Sequence, residues 1–238
     1  VTAPRLVLVH GAAVTPAVWR EVVPHLAGFE VIAARRPCSG DLDTEVAALA
    51  AICAGAVVAG VSGGATLGLE LAARGVPLRA AVLHEPAAGP LAPGLLAHVA
   101  EGLRTGGVAG FGRALYGPAW RPADAPAGAE AEAVVAREFA MFRAFEPAPP
   151  APGCGPVLLT TGAHSPPPRH AAAAALAAHC GLPTALVPGA GHAAHLENPA
   201  AFAAAIRAHA AQAGAGPPRG PGGVPAAPAD DGAPDRWP

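Results

Sequence analysis

The chain has 238 residues, 52% of them hydrophobic and 13% charged, with a formal net charge of −2. That is enough apolar material for one core of ordinary size with an insertion; the scattered arginines form no basic patch for nucleic acid, and no apolar run is long enough to span a bilayer. The chain has no lysine and one asparagine against a great excess of alanine, glycine, proline and arginine, a bias toward GC-rich codons that suggests a high-GC bacterium and says nothing about chemistry.

No basic stretch followed by an apolar segment opens the sequence, which leads to the expectation of a soluble, cytoplasmic protein. Cys38, Cys53, Cys154 and Cys180 lie far apart without C-x-x-C spacing, as suits reduced thiols better than a disulfide frame or a zinc site.

Strand-like runs alternate with helical ones. Arg5 to Val9 reads as a first buried strand. Thr15-Pro16 then looks like a helix start, with Trp19, Val22, Val23 and Leu26 along one face. Phe29 to Ala33 reads as a second strand. Residues 43–54 read as a helix with Asp43 and Glu45 near its start, where the helix dipole favours negative charge. Ala56 to Val61 forms a third strand, and the helix after it carries Leu67 and Leu71 and ends at Arg74-Gly75. Ala80 to Leu83, Val157 to Thr160 and Thr184 to Val187 supply three more strands, and a last helix begins at Asn198-Pro199 with Phe202, Ala205, Ile206 and His209 turned inward. Such alternation predicts an α/β fold, a mostly parallel sheet of about six strands with helices on both faces.

Residues 87–155 break the alternation. Their middle, 129–146, has a helical pattern through Val135, Phe139 and Phe142, so the segment reads as a helical cap inserted into a core formed by 1–86 and 156–212. From residue 213 the chain is nearly all glycine, proline and alanine, and a disordered tail is expected over 213–238.

Three loops carry chemistry. Gly60-Val61-Ser62-Gly63-Gly64 is a G-x-S-x-G between a strand and a helix, where a sharp turn presents a serine hydroxyl in the open. Val9-His10-Gly11-Ala12 follows the first strand, and Pro188-Gly189-Ala190-Gly191-His192 follows the last. In this order and at these strand ends, the motifs resemble an α/β-hydrolase over residues 5–212, with the cap where that superfamily carries one. The short lead before the first strand leaves no room for the two extra strands of larger members, hence about six. The resemblance implies Ser62 as nucleophile and His192 as base, and an oxyanion hole made by the backbone N–H groups of Ala12 and Gly63. His195, three residues on, competes with His192 for the base, but the Gly-x-Gly marks the earlier histidine.

The third member of the triad departs from the pattern. Most members place an aspartate after the fifth of these strands; here that turn reads Gly162-Ala163-His164-Ser165, and no aspartate or glutamate occurs from 147 to 196. Glu85, in Leu83-His84-Glu85-Pro86 directly after the fourth strand, is the leading substitute, since some relatives carry their acid there. A Ser-His dyad, or Asp41 and Asp43 as acids, are the alternatives, although those two aspartates suit a helix cap.

These readings lead to a serine hydrolase acting on an ester, lactone or thioester of a small, mostly apolar molecule. The alternatives are a non-hydrolytic enzyme of the same fold (acyltransferase, lyase, cyclase or perhydrolase) in a bacterial natural-product pathway, and a non-catalytic ligand-binding protein. His10, Gly11, His84, Tyr116, Trp120 and Phe142 are expected to contact substrate. No metal-ligand cluster or nucleotide-binding motif is seen, so no cofactor is expected; the expected partner is a small molecule, with neither nucleic acid nor membrane.

Overall fold

Short runs of β-branched and aliphatic residues build one sheet, and their order in space positions everything else. The computed structural model describes residues 3–214. Strands β1 (Arg5–Val9), β2 (Glu30–Ala33), β3 (Val57–Val61), β4 (Ala80–His84), β5 (Val157–Gly162) and β6 (Thr184–Val187) form a six-stranded sheet in the order β2-β1-β3-β4-β5-β6. Every neighbouring pair is parallel. All residues of β3 and β4 are buried, as strands covered on both faces must be.

Helices α1 (Leu42–Cys53) and α2 (Gly63–Ala73) pack on each other, with α2 across β1, β3 and β4. Helix α7 (Pro199–Gly214) crosses β4 and β6, and the short α6 (Ala194–Glu197) precedes it. Asp41 caps α1 by accepting the Thr44 N–H at 2.8 Å. Asp43 instead meets Arg74 at 2.6 Å on the surface, so neither aspartate approaches the strand ends.

Three local expectations need correction. The helix expected from Thr15 is a pair of 3-10 turns, Pro16–Glu21 and Val23–His25, with Val23 exposed. Pro24 cannot donate the hydrogen bond a continuing helix needs, and Thr15 makes no capping bond. Two helices the apolar pattern did not mark are present: α3 (Ala97–Tyr116), broken at Gly106 and Gly107, and α5 (Pro167–Cys180). Residues 213 and 214, expected to begin a disordered tail, complete α7, and the rest of that tail lies outside the described residues.

Between β4 and β5 the chain runs through α3 and α4 (Ala131–Arg143), whose apolar sides close over the C-terminal ends of the strands. The strand order reverses beside β1: the chain steps outward to β2, then returns to β3 on the other side. In open parallel sheets such a switch point leaves a crevice at the strand ends. The loops after β1 and β3 flank it. No helix among the described residues is long and apolar enough to cross a membrane.

Candidate active site

Ser62 ends β3 and begins α2 with φ 57° and ψ −123°, a left-handed backbone rare for a residue with a side chain. Such a conformation costs on the order of 1–3 kcal/mol and persists because its surroundings fix it. The Ser62 N–H donates to the His84 carbonyl at 2.9 Å, and the Ser62 carbonyl accepts from Thr66 N at 2.9 Å. A Cβ on Gly64 would lie 1.9 Å from the Val9 carbonyl oxygen, so only glycine lets the elbow sit this close to β1. On the other side, a Cβ on Gly11 would come within 2.5 Å of the Tyr116 hydroxyl and 3.2 Å of Ser62 Cβ. The elbow thus packs directly against the loop after β1.

Glu85 follows β4, also at positive φ (46°), and its carboxylate reaches across to the loop after β6. Its Oε2 lies 2.8 Å from His192 Nδ1. Oε1 accepts from Gly162 N at 3.0 Å and from the Ser165 hydroxyl. Nη1 of Arg169, on α5, lies 3.2 Å from Oε2. Burial alone would raise this carboxyl; the hydrogen bond from His192 and the positive charges of His192, His84 and Arg169 outweigh it and hold Glu85 well below the usual carboxylate range. Ser165, in the turn where an aspartate was looked for, is therefore a donor to the acid on the neighbouring strand.

A carboxylate accepts, so Nδ1 of His192 carries the proton and Nε2 is left with its lone pair. Nε2 is buried and has no hydrogen-bond partner among the described residues. Burial, with the charge of Arg169, pushes the His192 imidazole down to about 4, against the hydrogen bond and charge of Glu85. His192 and Ser62 line one small cavity together with Ala12, Gly63, Glu85 and Arg169. Gly63 is the first residue of α2, so its N–H has no intrahelical acceptor. Leu95, Val99, Phe111, Leu115, Phe139 and Phe142 supply the apolar walls, and the free space is only about 30 Å³.

The loop after β1 is held through its carbonyl groups. Arg36, fully buried, donates to His10 O at 3.1 Å and Gly11 O at 3.0 Å. It also forms ion pairs with Glu45 of α1 at 2.8 Å and Glu138 of α4 at 2.5 Å, and its Nη2 lies 3.5 Å from His10 Nδ1. The Tyr116 hydroxyl donates to Ala12 O at 2.8 Å, and Trp120 Nε1 donates to Ala13 O at 3.3 Å. Four successive carbonyls are pinned by side chains.

The residues expected to contact substrate divide. Phe142 lines the cavity and packs its ring against Gly63. Gly11 backs onto Ser62. Tyr116 stacks on the His192 ring at 5.7 Å and faces an outer crevice on that side. His10, His84 and Trp120 do not line the cavity. Nδ1 of His10 lies 2.9 Å from Gly11 O, and burial pushes its imidazole down to about 3. His84 contacts Thr160 Oγ1 and Gly191 O, each at 3.0 Å, so its polar atoms are consumed in tying β5 to the loop before His192. Trp120 lies across Gly112 and braces the loop after β1. His195 is enclosed between Trp19 and Tyr116 in the core, away from the cavity. Sequence reasoning missed Arg36, Glu45, Glu138 and Arg169, which no local spacing marks. Among the described residues no group of three metal-ligating side chains occurs.

A model of the alpha/beta hydrolase family matches residues 6–205. No curated protein matches the chain by sequence. Among solved structures, the chain is similar to the enol-lactonase from Burkholderia xenovorans LB400, with 22% identity, a TM-score of 0.65 and coverage of 88% of this chain and 92% of that one. MenH from S. aureus aligns with a TM-score of 0.67 at 15% identity, over 90% of this chain and 96% of that one. Carboxylesterase CesB from Bacillus subtilis aligns with a TM-score of 0.60 at 19% identity, over 87% of this chain and 83% of that one. At such identities the likeness speaks for the fold alone.

Proposed function

The chain belongs to the alpha/beta hydrolase family, and from that premise we propose that it is a serine hydrolase acting on an ester, lactone or thioester of a small, mostly apolar molecule. The observation that carries this reading is the hydrogen bond between Glu85 Oε2 and His192 Nδ1 at 2.8 Å, which leaves Nε2 unpartnered on the cavity that Ser62 lines. In this reading Ser62 Oγ attacks the substrate carbonyl as its proton passes to His192 Nε2. The carbonyl oxygen becomes an oxyanion facing the backbone N–H groups of Ala12 and Gly63. The imidazolium, stabilised by Glu85, returns the proton to the departing alcohol or thiol, leaving Ser62 acylated. Water, deprotonated by the same imidazole, then attacks the acyl-enzyme and regenerates Ser62. The apolar walls favour an acyl or alcohol group without sugar- or phosphate-like polarity.

A fluorophosphonate probe tests the reading. Mass spectrometry is expected to find the label on Ser62 of the native protein, and on no residue after heat denaturation. A folded protein that stays unlabelled at Ser62 would argue against an activated serine.

A further inference from the structure

One group at this site has no part in the steps above. Arg169, on the first turn of α5, is 7% exposed and is the sole lysine or arginine among the residues lining the cavity with Ser62. A guanidinium has five N–H donors in a planar fork. Here Nη1 faces Glu85 Oε2 at 3.2 Å, and no other acceptor engages the group among the described residues. Glu85 cannot absorb the rest, because its two oxygens already serve His192, Gly162 N and Ser165. Among the described residues, the enclosed, unpartnered polar side-chain atoms are Trp19 Nε1, His192 Nε2 and His195 Nδ1, and none belongs to Arg169. Its free edge therefore opens onto the surrounding spaces.

Those spaces have a direction. Arg169 and Leu95 line both the inner cavity and an open, mostly apolar cleft of about 770 Å³ between the start of α5 and the residues leading into α3. Arg169 thus stands where the two meet. Ionisable neighbours reach it from each side: Glu85 and His192 in the cavity, His98 in the cleft, and His98, His164 and Glu197 in the crevice beside Tyr116. Glu197 is engaged with Gly191 N at 2.5 Å. Among the described residues, no carboxylate other than Glu85 pairs with the guanidinium.

We propose that Arg169 recognises a carboxylate on the substrate, so that the preferred substrates are esters, lactones or thioesters bearing a second, free acid group near the scissile carbonyl. This rests on the serine-hydrolase reading and specifies its substrate class. The unused fork offers parallel N–H donors to a planar anion, and bidentate pairing of that kind is strong. The same contact places negative charge near His192 as its imidazolium forms, which favours proton transfer from Ser62.

Two chromogenic esters of equal acyl length test this: p-nitrophenyl hydrogen glutarate, which carries the acid, and neutral p-nitrophenyl valerate. The wild type is expected to turn over the glutarate ester with kcat/KM higher by about tenfold or more, the scale of one charged hydrogen-bonded contact. Arg169→Gln is expected to bring the ratio near one, whatever its effect on both rates through Glu85. Arg169→Lys, which keeps the charge and loses the fork, is expected to lower the ratio severalfold, and it serves if the glutamine variant does not fold. Equal turnover of the two esters by the wild type overturns the inference and leaves the hydrolase reading standing, as does a ratio unmoved in a folded variant. Turnover of neither ester, with Ser62 unlabelled by fluorophosphonate, overturns the hydrolase reading and this inference with it.

Discussion

At Glu85 four donors converge on two carboxylate oxygens: His192 Nδ1, Gly162 N, the Ser165 hydroxyl and Arg169. Glu85→Gln removes the charge proposed to stabilise the imidazolium and puts an amide against the His192 N–H, where the ring can lose its preferred tautomer. A fall in kcat of about 10²–10⁴ is expected, from steady-state kinetics on a variant shown by circular dichroism to be folded; an effect within about threefold would instead indicate a Ser-His dyad. The depressed His192 imidazole, about 4, carries its own signature. The base form is lost only as pH falls through that value. At pH 6, kcat/KM is expected to stay close to its pH 7.5 value, whereas an ordinary imidazole near 6.5 would leave about a quarter of it. At this scale the sequence was informative where a short motif dictates backbone shape. The glycines around Ser62 and before His192 are such cases. Arg169 and Ser165 were not legible, because their role comes from facing Glu85 across 80 or more positions of sequence.

Among the elements, Arg36 joins three segments distant in sequence. It ties α1 through Glu45, α4 through Glu138, and the loop after β1 through two carbonyls, all without exposure to solvent. Arg36→Met would strand two buried carboxylates, and a loss of about 3–5 kcal/mol in urea unfolding is expected. Adding Glu45→Gln and Glu138→Gln to that variant is expected to recover part of the loss, since the uncompensated charge is gone. Glu138 lies 102 positions from Arg36, so nothing in the periodicity of α4 announced the pair. Helices α3 and α5 escaped notice for a different reason. The long alanine run of α5 has strong helix propensity but almost no apolar contrast, so periodicity is silent there. The first expected helix failed for the opposite reason: Trp19, Val22 and Leu26 have helical spacing and are buried, but Pro24 divides the segment.

For the whole molecule, the parallel sheet was legible because strands buried on both faces read as plain apolar runs, and their alternation with helices restricts the topology; the switch point beside β1 came only with the strand order. The arrangement of the inserted helices was not, because it depends on which apolar side chains meet which. The core also holds four histidines whose imidazoles burial pushes down: His10, His84, His192 and His195. Each has a folded pKa below its unfolded value near 6.5, so below that pH the unfolded chain binds more protons than the native one. Stability is therefore expected to fall as pH drops below about 6.5, by up to about 1.4 kcal/mol per pH unit for each histidine. Urea unfolding between pH 7.5 and 5 measures this, and a flat profile would mean that these rings accept protons without unfolding the chain.

The grip on the loop after β1 has a mechanical corollary. Tyr116 and Trp120, at and just beyond the end of α3, hold the carbonyls of Ala12 and Ala13, while Glu138 of α4 secures the arginine that holds the two before them. With about 30 Å³ beside Ser62, room for roughly one water, an acyl group needs the cavity walls to yield, and an outward swing of α3 and α4, which supply most of the apolar ones, would make that room. That swing would slacken the peptide units on which the proposed oxyanion donor at Ala12 is mounted. Admission and arming would then be opposed, like the door switch of a furnace: the proposed hole would reach full strength only once the helices have shut on their guest.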